Sequence, residues 1–375
     1  MQAGELSVNQ AFLVLNALPD IGPVTTNRLL AEFGDDPRRL FEAPARELES
    51  VKGVGPRISG NLRGWRALVD LASEEARLAA AGATFVSVRD PGYPPLLREL
   101  PDAPLGLYRR GDYTFDAPCV AIVGSRRTTL YGQATAKKLG CDLAKLGFCV
   151  VSGLARGIDT FAHEGALEAG GRTAAVLGNG IDIVYPPENL GLYRRIEERG
   201  AVLTEFPFGR RADKQSFAMR NRIVAGMCRA VIVVESDVNG GSMITAKFAG
   251  EQGRLVFAVP GRIDQPSSAG CHQLIRDGAT LLTSVDDVLG ELDYLEGFGP
   301  AGVAPIPAKA AAPAAAGLGA DEARVLGCFA GGAILSADTL VGLTGLASPA
   351  LAAALMMLEL KRLVAKRVDG TYEAR

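Results

Sequence analysis

Between about Ala117 and Leu292, short continuous apolar runs alternate with amphipathic stretches of helical length. The runs are Val120–Val123, Phe148–Ser152, Thr173–Leu177, Ala201–Thr204, Val231–Glu235, Leu255–Val259 and Thr280–Leu282. Continuous apolar strands separated by helices are typical of parallel strands that are covered on both faces. The pattern predicts an α/β fold with a Rossmann-like, doubly wound and mostly parallel sheet. In such sheets a ligand lies beyond the carboxyl ends of the strands.

The segment before the sheet, residues 1–80, is predicted to be a helical, SAM-like domain with two helix-hairpin-helix-like motifs. Their hairpins read L-P-D-I-G-P from Leu18 and V-K-G-V-G-P from Val51. Glycines let a hairpin backbone approach a phosphate, and the amides of the next helix point at it. Gly53, Gly55 and Arg57 are therefore candidates for a secondary DNA contact. The alternative is a pair of hairpins that serves only as a compact packing unit.

The sheet domain is predicted to cover residues 81–295, and an Ala/Pro-rich flexible linker follows over 296–319. Residues 320–375 predict a winged-helix domain, with three helices (Asp321–Phe329, Ser336–Leu343 and Pro349–Lys361) and then a hairpin. An Asp-Gly pair at Asp369 and Gly370 is a strong signal for the hairpin turn. Winged helices bind duplex DNA or proteins. The stretch from Ser348 to Glu359 contains no Lys or Arg, which favours protein contacts.

The overall composition limits the kinds of function that remain open. The formal net charge is -2, so any affinity for nucleic acid has to come from a local patch. Six cysteines lack C-x-x-C spacing and only two histidines are present, which predicts reduced thiols, no metal site and no cofactor. No apolar run approaches the roughly 20 residues of a membrane span, and the first residues lack the pattern of a secretion signal. We therefore expect a cytoplasmic protein.

One local patch does stand out, the segment R-R-A-D-K-Q-S-F-A-M-R-N-R from Arg210 to Arg222. It places five cations around a single aromatic residue, Phe217, with only Asp213 opposing them. Cations interleaved with an aromatic side chain suit an unpaired nucleic-acid strand, whose bases need a stacking surface. The alternative is a solvated charged face with one core phenylalanine.

The loops that follow the predicted strands are rich in glycine. The first is G-S-R-R-T-T from Gly124, and S-G-L-A-R-G-I-D from Ser152 and S-D-V-N-G-G-S-M-I-T-A from Ser236 follow later strands. Backbone amides at such turns, together with arginine, form an anion site. A dinucleotide fingerprint and a P-loop are both absent, and no nucleophile–base pair stands out. These loops indicate binding of an extended anion and no enzymatic activity.

Five motifs in order resemble the DNA-processing protein A family (DprA, also called Smf). They are G-S-R, S-G-x-A-x-G-I-D, V-L-G-x-G-I-D-x-x-Y-P, F-x-x-R-N-R-I-V-A-G and S-M-I-T-A…G-R-L-V-F-A-V-P-G, between about Tyr93 and Leu289. The resemblance implies a Rossmann-like domain that forms a homodimer and binds single-stranded DNA without sequence preference. It also implies protection of incoming DNA and loading of the recombinase RecA in natural transformation or recombination.

Family residues and the Gly-rich loops together define a predicted single-strand-binding set. Its members are Gly124, Ser125, Arg126, Arg127, Gly153, Lys214, Phe217, Arg220, Asn221, Arg222, Gly240, Gly241 and Ser242. The chain departs from the family pattern at Ala218, where a proline is common, and at His272, where an asparagine is frequent. The usual Ser-Gly-Ser turn is Gly-Gly-Ser here, over residues 240–242.

Two other functions remain open at this point. One is a nucleotide-processing hydrolase of the lysine-decarboxylase-like (LOG) type, which uses a similar sheet. Those enzymes carry Pro-Gly-Gly-x-Gly-Thr and a catalytic glutamate, whereas this chain has N-G-G-S-M-I-T-A-K from Asn239. The other is an adaptor scaffold that does not bind DNA.

Overall fold

The computed structural model describes residues 6–294, 318–329, 333–367 and 370–374. All but the last two residues of the predicted linker lie outside the described residues, as does Asp369 of the predicted turn. The chain divides into two compact units. The larger contains the described residues up to Arg127 and from Ala136 to 294, and the smaller contains Thr128–Thr135 and the C-terminal residues. The predicted domain boundaries remain predictions.

The larger unit begins with short helices. They are α1 (Val8–Ala17), α2 (Pro23–Phe33), α3 (Ala45–Glu49), α4 (Pro56–Arg63), α5 (Trp65–Leu68) and α6 (Leu71–Ala80), with a 3-10 turn at Pro37–Phe41. Ser7 and Gln10 form a capping box at the start of α1, and a proline begins both α2 and α4. The apolar side chains of these helices share one core with Phe85 and Tyr108 of the sheet.

A nine-stranded sheet follows. Its strands are β1 (Thr84–Ser87), β2 (Gly106–Arg110), β3 (Cys119–Val123), β4 (Cys149–Ser152), β5 (Thr173–Val176), β6 (Ala201–Thr204), β7 (Ala230–Val233), β8 (Leu255–Ala258) and β9 (Thr280–Leu281). The order is β1-β2-β6-β5-β4-β3-β7-β8-β9. β3 to β9 are all parallel, whereas β2 pairs antiparallel with both β1 and β6. The predicted doubly wound, mostly parallel sheet is confirmed.

Helices cover both faces of this sheet. They are α7 (Pro95–Arg98), α8 (Leu130–Lys145), α9 (Ile158–Glu168), α10 (Leu190–Arg199), α11 (Lys214–Gly226), α12 (Gly241–Glu251), α13 (Ala269–Arg276) and α14 (Val285–Tyr294). β3 is buried along its whole length, since Val120 and Ile122 join the core on one face while Ala121 and Val123 join the core on the other. Successive side chains of a strand point to opposite faces. This alternation explains why the central strands read as continuous apolar runs.

The order of the strands reverses at β3. The chain moves from β3 through β4 and β5 to β6 on one side, and then returns to place β7, β8 and β9 on the other. The loops after β3 and β7 therefore diverge and leave a crevice at the carboxyl ends of these neighbouring strands.

The smaller unit is the predicted winged helix. It contains α15 (Ala320–Gly327), β10 (Ile334–Leu335), α16 (Ala337–Thr344), α17 (Ser348–Leu360), β11 (Val364–Lys366) and β12 (Tyr372–Ala374). The strands form an antiparallel sheet in the order β10-β12-β11. Val325, Leu340, Leu355 and Leu358 lie in a core of its own. β10 was not predicted from the sequence.

Two further properties concern the described ranges. No single helix in them is long and apolar enough to cross a bilayer, and α16 with α17 passes that test only as a pair bent by 110°. Within the same ranges, no three His, Cys, Asp or Glu side chains gather where they could hold a metal ion.

Candidate nucleic-acid interface

The crevice at the carboxyl ends of β3 and β7 is a groove of about 760 Å³. It is lined by the loops after β3, β4, β7 and β8, by one side of α11 from Lys214 to Val224 and by the first turn of α12. Every member of the predicted single-strand-binding set lines the groove except Arg222. The topology has thus brought together residues that are up to 118 positions apart in the chain, from Gly124 to Ser242.

The loop after β3 is held in a tight turn that presents two arginines. The Ser125 hydroxyl accepts a hydrogen bond from the Arg127 amide at 3.0 Å, and the Ser125 amide donates to the Glu235 carbonyl at 2.6 Å. A Cβ atom at Gly124 would come within 2.5 Å of the Ile158 side chain, so only glycine fits there. Arg126 and Arg127 are exposed at the mouth of the groove. A tightly hydrogen-bonded backbone therefore carries two exposed cations.

Phe217 is half-buried, and its ring meets several side chains. The Arg126 guanidinium carbon lies 4.8 Å from the ring centroid, and that of Arg220 lies 5.8 Å from it. Both distances are within the range of cation–π attraction. The ring of Tyr185 lies 5.8 Å from that of Phe217, at an angle of 45°. The aromatic residue is thus part of a cationic surface and is not sealed in the core.

Helix α11 presents Lys214 and Phe217 because its first turn is capped. The Asp213 carboxylate accepts from the Ser216 amide at 2.7 Å, and the Ser216 hydroxyl accepts from the Asp213 amide at 2.9 Å. This is a reciprocal capping box. The Ser216 amide, helped by Arg210, holds the pKa of Asp213 below its usual value. Arg210 is thereby paired, while Lys214 is exposed.

Arg220 forms the floor of the groove and does not face solvent. Its side chain donates to the carbonyl oxygens of Gly153, at 2.7 Å, and of Val176. The Asp159 carboxylate accepts from the amides of Gly153 and Ala155 at 3.1 and 3.3 Å. Burial lowers the pKa of Arg220 to about 10, although Asp159 opposes this effect. Arg220 is only 4% exposed and its Nη1 holds the loop after β4, so its predicted contact with the DNA strand stays a prediction.

The prediction for Arg222 needs correction. Its side chain points away from the groove and pairs with Glu205, and each of the two side chains is only 10% exposed. A second guanidinium nitrogen donates to the Asp102 carbonyl at 2.9 Å. Burial raises the pKa of Glu205, and the neighbouring Arg222 counteracts this rise. Arg222 is a structural residue of the interior.

His163 lies beneath the loop after β4 and is fully buried. The Thr173 hydroxyl donates its hydrogen to the Val150 carbonyl at 2.6 Å, so it accepts from His163 Nδ1 at 2.7 Å. Burial, with Arg220 nearby, lowers the pKa of His163 to about 3. This histidine is therefore neutral and serves to pack α9 against the sheet.

The start of α12 closes the other side of the groove. Gly240 is the N-cap residue and offers no side-chain cap, and of the first amides of the helix that of Met243 donates to the Gly240 carbonyl at 3.0 Å. Ser242 Oγ donates to Ser236 Oγ at 2.7 Å, and the Asn221 amide group donates to the Gly241 carbonyl at 3.2 Å. Asn221 thus joins α11 to the start of α12.

Comparison with known proteins identifies the family. The chain matches the model of the DNA recombination-mediator protein A family over residues 84–293 and the DprA winged helix domain over residues 309–370. It is 36% identical over 286 residues to Protein Smf of Synechocystis sp., covering 75% of this chain and 72% of the relative. This chain belongs to the DprA (Smf) family.

Other members of the DprA family agree with this assignment. DNA processing protein DprA of Streptococcus pneumoniae is 45% identical over 209 residues, which cover 56% of this chain and 74% of that protein. The X-ray structure of the Streptococcus pneumoniae protein superposes with a TM-score of 0.66 at 35% identity, covering 76% of this chain and 98% of that one. DNA processing protein A from Helicobacter pylori superposes with a TM-score of 0.51 at 31% identity, covering 56% and 96%.

The two N-terminal hairpins of this DprA-family chain are joined to each other by side-chain hydrogen bonds. Arg57 Nε donates to the Asp20 carboxylate of the other hairpin at 2.6 Å, and Arg28 donates to the Lys52 carbonyl at 3.3 Å. Gly53 has a φ of +92°, a left-handed conformation that favours glycine. Gly55 is the N-cap residue of α4. The Arg57 side chain is 75% exposed but paired with Asp20, so a phosphate that reaches it has to displace that carboxylate, and the predicted secondary DNA contact stays a prediction.

The sequence motifs did not predict Tyr185 and Arg156 as site residues, although both lie beside the groove of this family member. Tyr185 follows β5, the third strand of the predicted run, and is 39% exposed. The signal for Tyr185 is an aromatic residue at the end of L-G-N-G-I-D-I-V-Y from Leu177, a further Gly-rich loop after a predicted strand. Arg156 adjoins Ala155, which lines the groove.

Proposed function

We propose that this DprA-family protein binds single-stranded DNA without sequence preference, protects it and loads RecA onto it in natural transformation or recombination. The observation that carries the binding proposal is the stacking of the Arg126 guanidinium on the half-buried Phe217 ring. It combines a phosphate-binding cation with an aromatic surface at one point of a groove. The Helicobacter pylori relative, described by its single-stranded DNA binding mode, supports the same proposal.

In the proposed complex the groove grips the sugar-phosphate chain. Arg126, Arg127 and Lys214 neutralise successive phosphates, and the amides of Gly241 and Ser242 at the start of α12 donate to a further phosphate oxygen. A base stacks on the surface formed by Phe217 and Arg126, since arginine adds cation–π attraction to aromatic stacking. Gly153 and Arg220 give this surface a rigid floor.

The absence of sequence preference follows from the type of contact. Amides, guanidinium groups and a phenyl ring meet phosphates and the faces of bases, and every base has a π face. Contacts with phosphates position a strand but do not read it. Duplex DNA hides its base faces in the stack, so the Phe217 surface favours unpaired strands.

The dimer and the RecA partnership rest on the family resemblance. A homodimer formed through the Rossmann-like domain carries two grooves, which raises avidity for a long strand through effective concentration. We assign no catalytic role to the groove. Among the described residues that line it, the carboxylates of Asp159 and Asp237 accept hydrogen bonds from amides of their own loops. Incubation with nucleoside monophosphates should therefore release no free base, and release would favour the LOG-type hydrolase.

Fluorescence anisotropy tests the binding proposal. We expect tighter binding of oligothymidine than of duplex of the same length. Phe217→Ala should weaken single-strand binding by about 1–3 kcal/mol, the usual worth of one stacked base. Arg126→Ala and Lys214→Ala should each lower the magnitude of the salt slope by about 0.7.

A matched control is Arg199→Ala, because Arg199 is exposed at the end of α10 that leads into the start of β6, at the amino ends of the parallel strands and away from the groove. It should leave affinity unchanged. Equal affinity for single strands and duplex, or a triple variant at Arg126, Lys214 and Phe217 with unchanged affinity, would refute the proposal. A complete lack of DNA binding at low salt would favour the adaptor scaffold.

A further inference from the structure

The aromatic surface of the groove continues beyond Phe217. The Tyr185 ring lies 5.8 Å from the Phe217 ring, and the two planes are tilted by 45°. Tyr185 is more exposed than Phe217, at 39% of its surface. In single-strand-binding grooves, successive bases stack on successive aromatic side chains. Tyr185 therefore provides a second face, one step along the surface from the first.

A cation and an acid accompany this second ring. Arg156 follows Ala155, a residue that lines the groove, and its Nε donates to the Glu188 carboxylate. Both side chains are half in solvent, each with 52% of its surface exposed. Glu188, and to a smaller extent Tyr185, raises the pKa of Arg156, and the hydrogen bond from Arg156 lowers the pKa of Glu188. The three side chains form one polar cluster.

The backbone around this cluster is fixed by a buried amide. Asn189 Nδ2 donates to the Leu154 carbonyl and to the Thr160 hydroxyl, each at 3.0 Å. The Thr160 hydroxyl in turn donates to the Ala155 carbonyl at 2.8 Å. The loops after β4 and β5 are thereby held together, so Arg156 and Tyr185 keep their positions relative to the groove.

We infer that the DNA strand continues from Phe217 over Tyr185 to Arg156, and that Glu188 competes with the strand for Arg156. The inference rests on the proposed function and extends it by one base site and one phosphate site. A phosphate that reaches Arg156 has to displace the Glu188 carboxylate, which also repels it. Glu188 therefore weakens binding at the Arg156 end of the proposed strand path, and a neutral residue at this position would strengthen it.

The effects of substitution follow from this competition. Glu188→Gln should strengthen binding of oligothymidine about three- to tenfold at low salt and increase the magnitude of the salt slope by up to about 0.7, because Arg156 is released for a phosphate. The double variant that combines Glu188→Gln with Arg156→Ala should not show that gain. Tyr185→Ala should weaken binding about fivefold or more, whereas Tyr185→Phe keeps the ring and should bind nearly as the wild type does.

The experiment is anisotropy on the full chain with oligothymidine of about 6 and about 15 nucleotides, a range that spans the usual site sizes. We expect the extra affinity for the longer strand to fall in Tyr185→Ala and to rise in Glu188→Gln. The control is Glu168→Gln, which makes the same charge change and frees Lys137, its partner at 2.7 Å. Glu168 ends the 11-residue helix α9, about 15 Å from the groove end.

The outcomes separate the two proposals. If wild-type protein does not prefer single strands, the proposed function itself fails. If it does, but Tyr185→Ala and Glu188→Gln bind as the wild type and the Glu168→Gln control do, the inferred extension is wrong. Equal strengthening by Glu188→Gln and Glu168→Gln would also overturn it, because the gain would then come from net charge alone. Thermal melting confirms that each variant is folded.

Discussion

The buried ion pair between Arg222 and Glu205 provides a prediction about stability. Arg222→Met leaves a carboxylate without its partner in a site where each side chain is 10% exposed. Removing one partner of a buried pair typically costs about 3–5 kcal/mol, because the remaining charge is uncompensated. We expect a loss of that order in the free energy of unfolding at pH 8, measured with urea. The double variant with Glu205→Gln should recover part of it.

The pH dependence of this loss has a definite sign. Burial raises the pKa of Glu205 in the folded protein, and removal of Arg222 takes away the charge that counteracts this. The penalty for ionising the buried carboxyl is full above the folded pKa and absent below the unfolded value of 4.5. The destabilisation should therefore shrink as the pH falls from 8 towards 5. A constant or growing loss would show that Glu205 is not its source.

Arg220 and Arg222 also show that a charge pattern does not reveal which way a side chain points. The segment from Arg210 to Arg222 predicts a basic patch, but a sequence shows the number of cations and not their directions. One helical turn of α11 separates Lys214, which is exposed, from Phe217, and the next turn brings Arg220 to the floor. Arg220 is buried and donates hydrogen bonds to backbone carbonyl oxygens, and Arg222 is buried in an ion pair with Glu205. Those partners lie far away in the chain, so local reasoning could not find them.

Helix α11 positions the binding residues Lys214 and Phe217. Variants of its N-cap residue, Asp213, distinguish the effect of helix capping on DNA binding from the effect of the negative charge. Asp213→Ala removes the capping carboxylate, so the first turn should fray and the melting temperature should fall by about 1–3 °C. Asp213→Asn keeps a capping side chain but removes the negative charge beside Lys214. The Asn variant should therefore bind oligothymidine more tightly than both the wild type and the Ala variant, as measured by anisotropy.

The pH behaviour of the same cap serves as its control. The pKa of Asp213 is lowered in the folded protein, first by the Ser216 amide. Stability from the carboxylate is thus present above the unfolded pKa and is lost as the pH falls through the folded pKa. The difference in melting temperature between wild type and the Ala variant should shrink at acid pH. A binding order in which Ala exceeds Asn would contradict the role of the cap.

The strands show which elements a single sequence makes predictable. All seven parallel strands were predicted within two residues of their observed ends, and for those other than the edge strand β9 the reason is burial, which leaves a continuous apolar run. β1 and β2 were missed. They form the antiparallel edge of the sheet, and the Pro-rich segment from Asp90 lies between them, which interrupts any pattern of two adjacent strands. The paired residues of β2 and β6 are about 95 positions apart in the chain, so no local sequence pattern predicts this pairing.

At the scale of the whole molecule, the groove is a local positive feature in a chain whose net charge is -2. All residues that line the groove lie between Val123 and Ser267 and belong to the larger unit. The segment Thr128–Thr135, which belongs to the smaller unit, contributes no lining residue. The winged helix has its own core, and α17 carries no Lys or Arg. Single-strand binding should therefore not require the C-terminal unit.

A fragment of residues 1–294 tests this. We expect it to bind oligothymidine within about twofold of the full chain and with the same salt slope. Three groove cations, each worth about 0.7 for single strands, give a slope near −2 in a plot of log affinity against log salt. Because the net charge is slightly negative, surfaces outside the groove add little attraction. A much steeper slope in both proteins would place further phosphate contacts on the N-terminal hairpins. Steepness lost only in the fragment would place them on the winged helix, and would overturn the view that one groove accounts for binding.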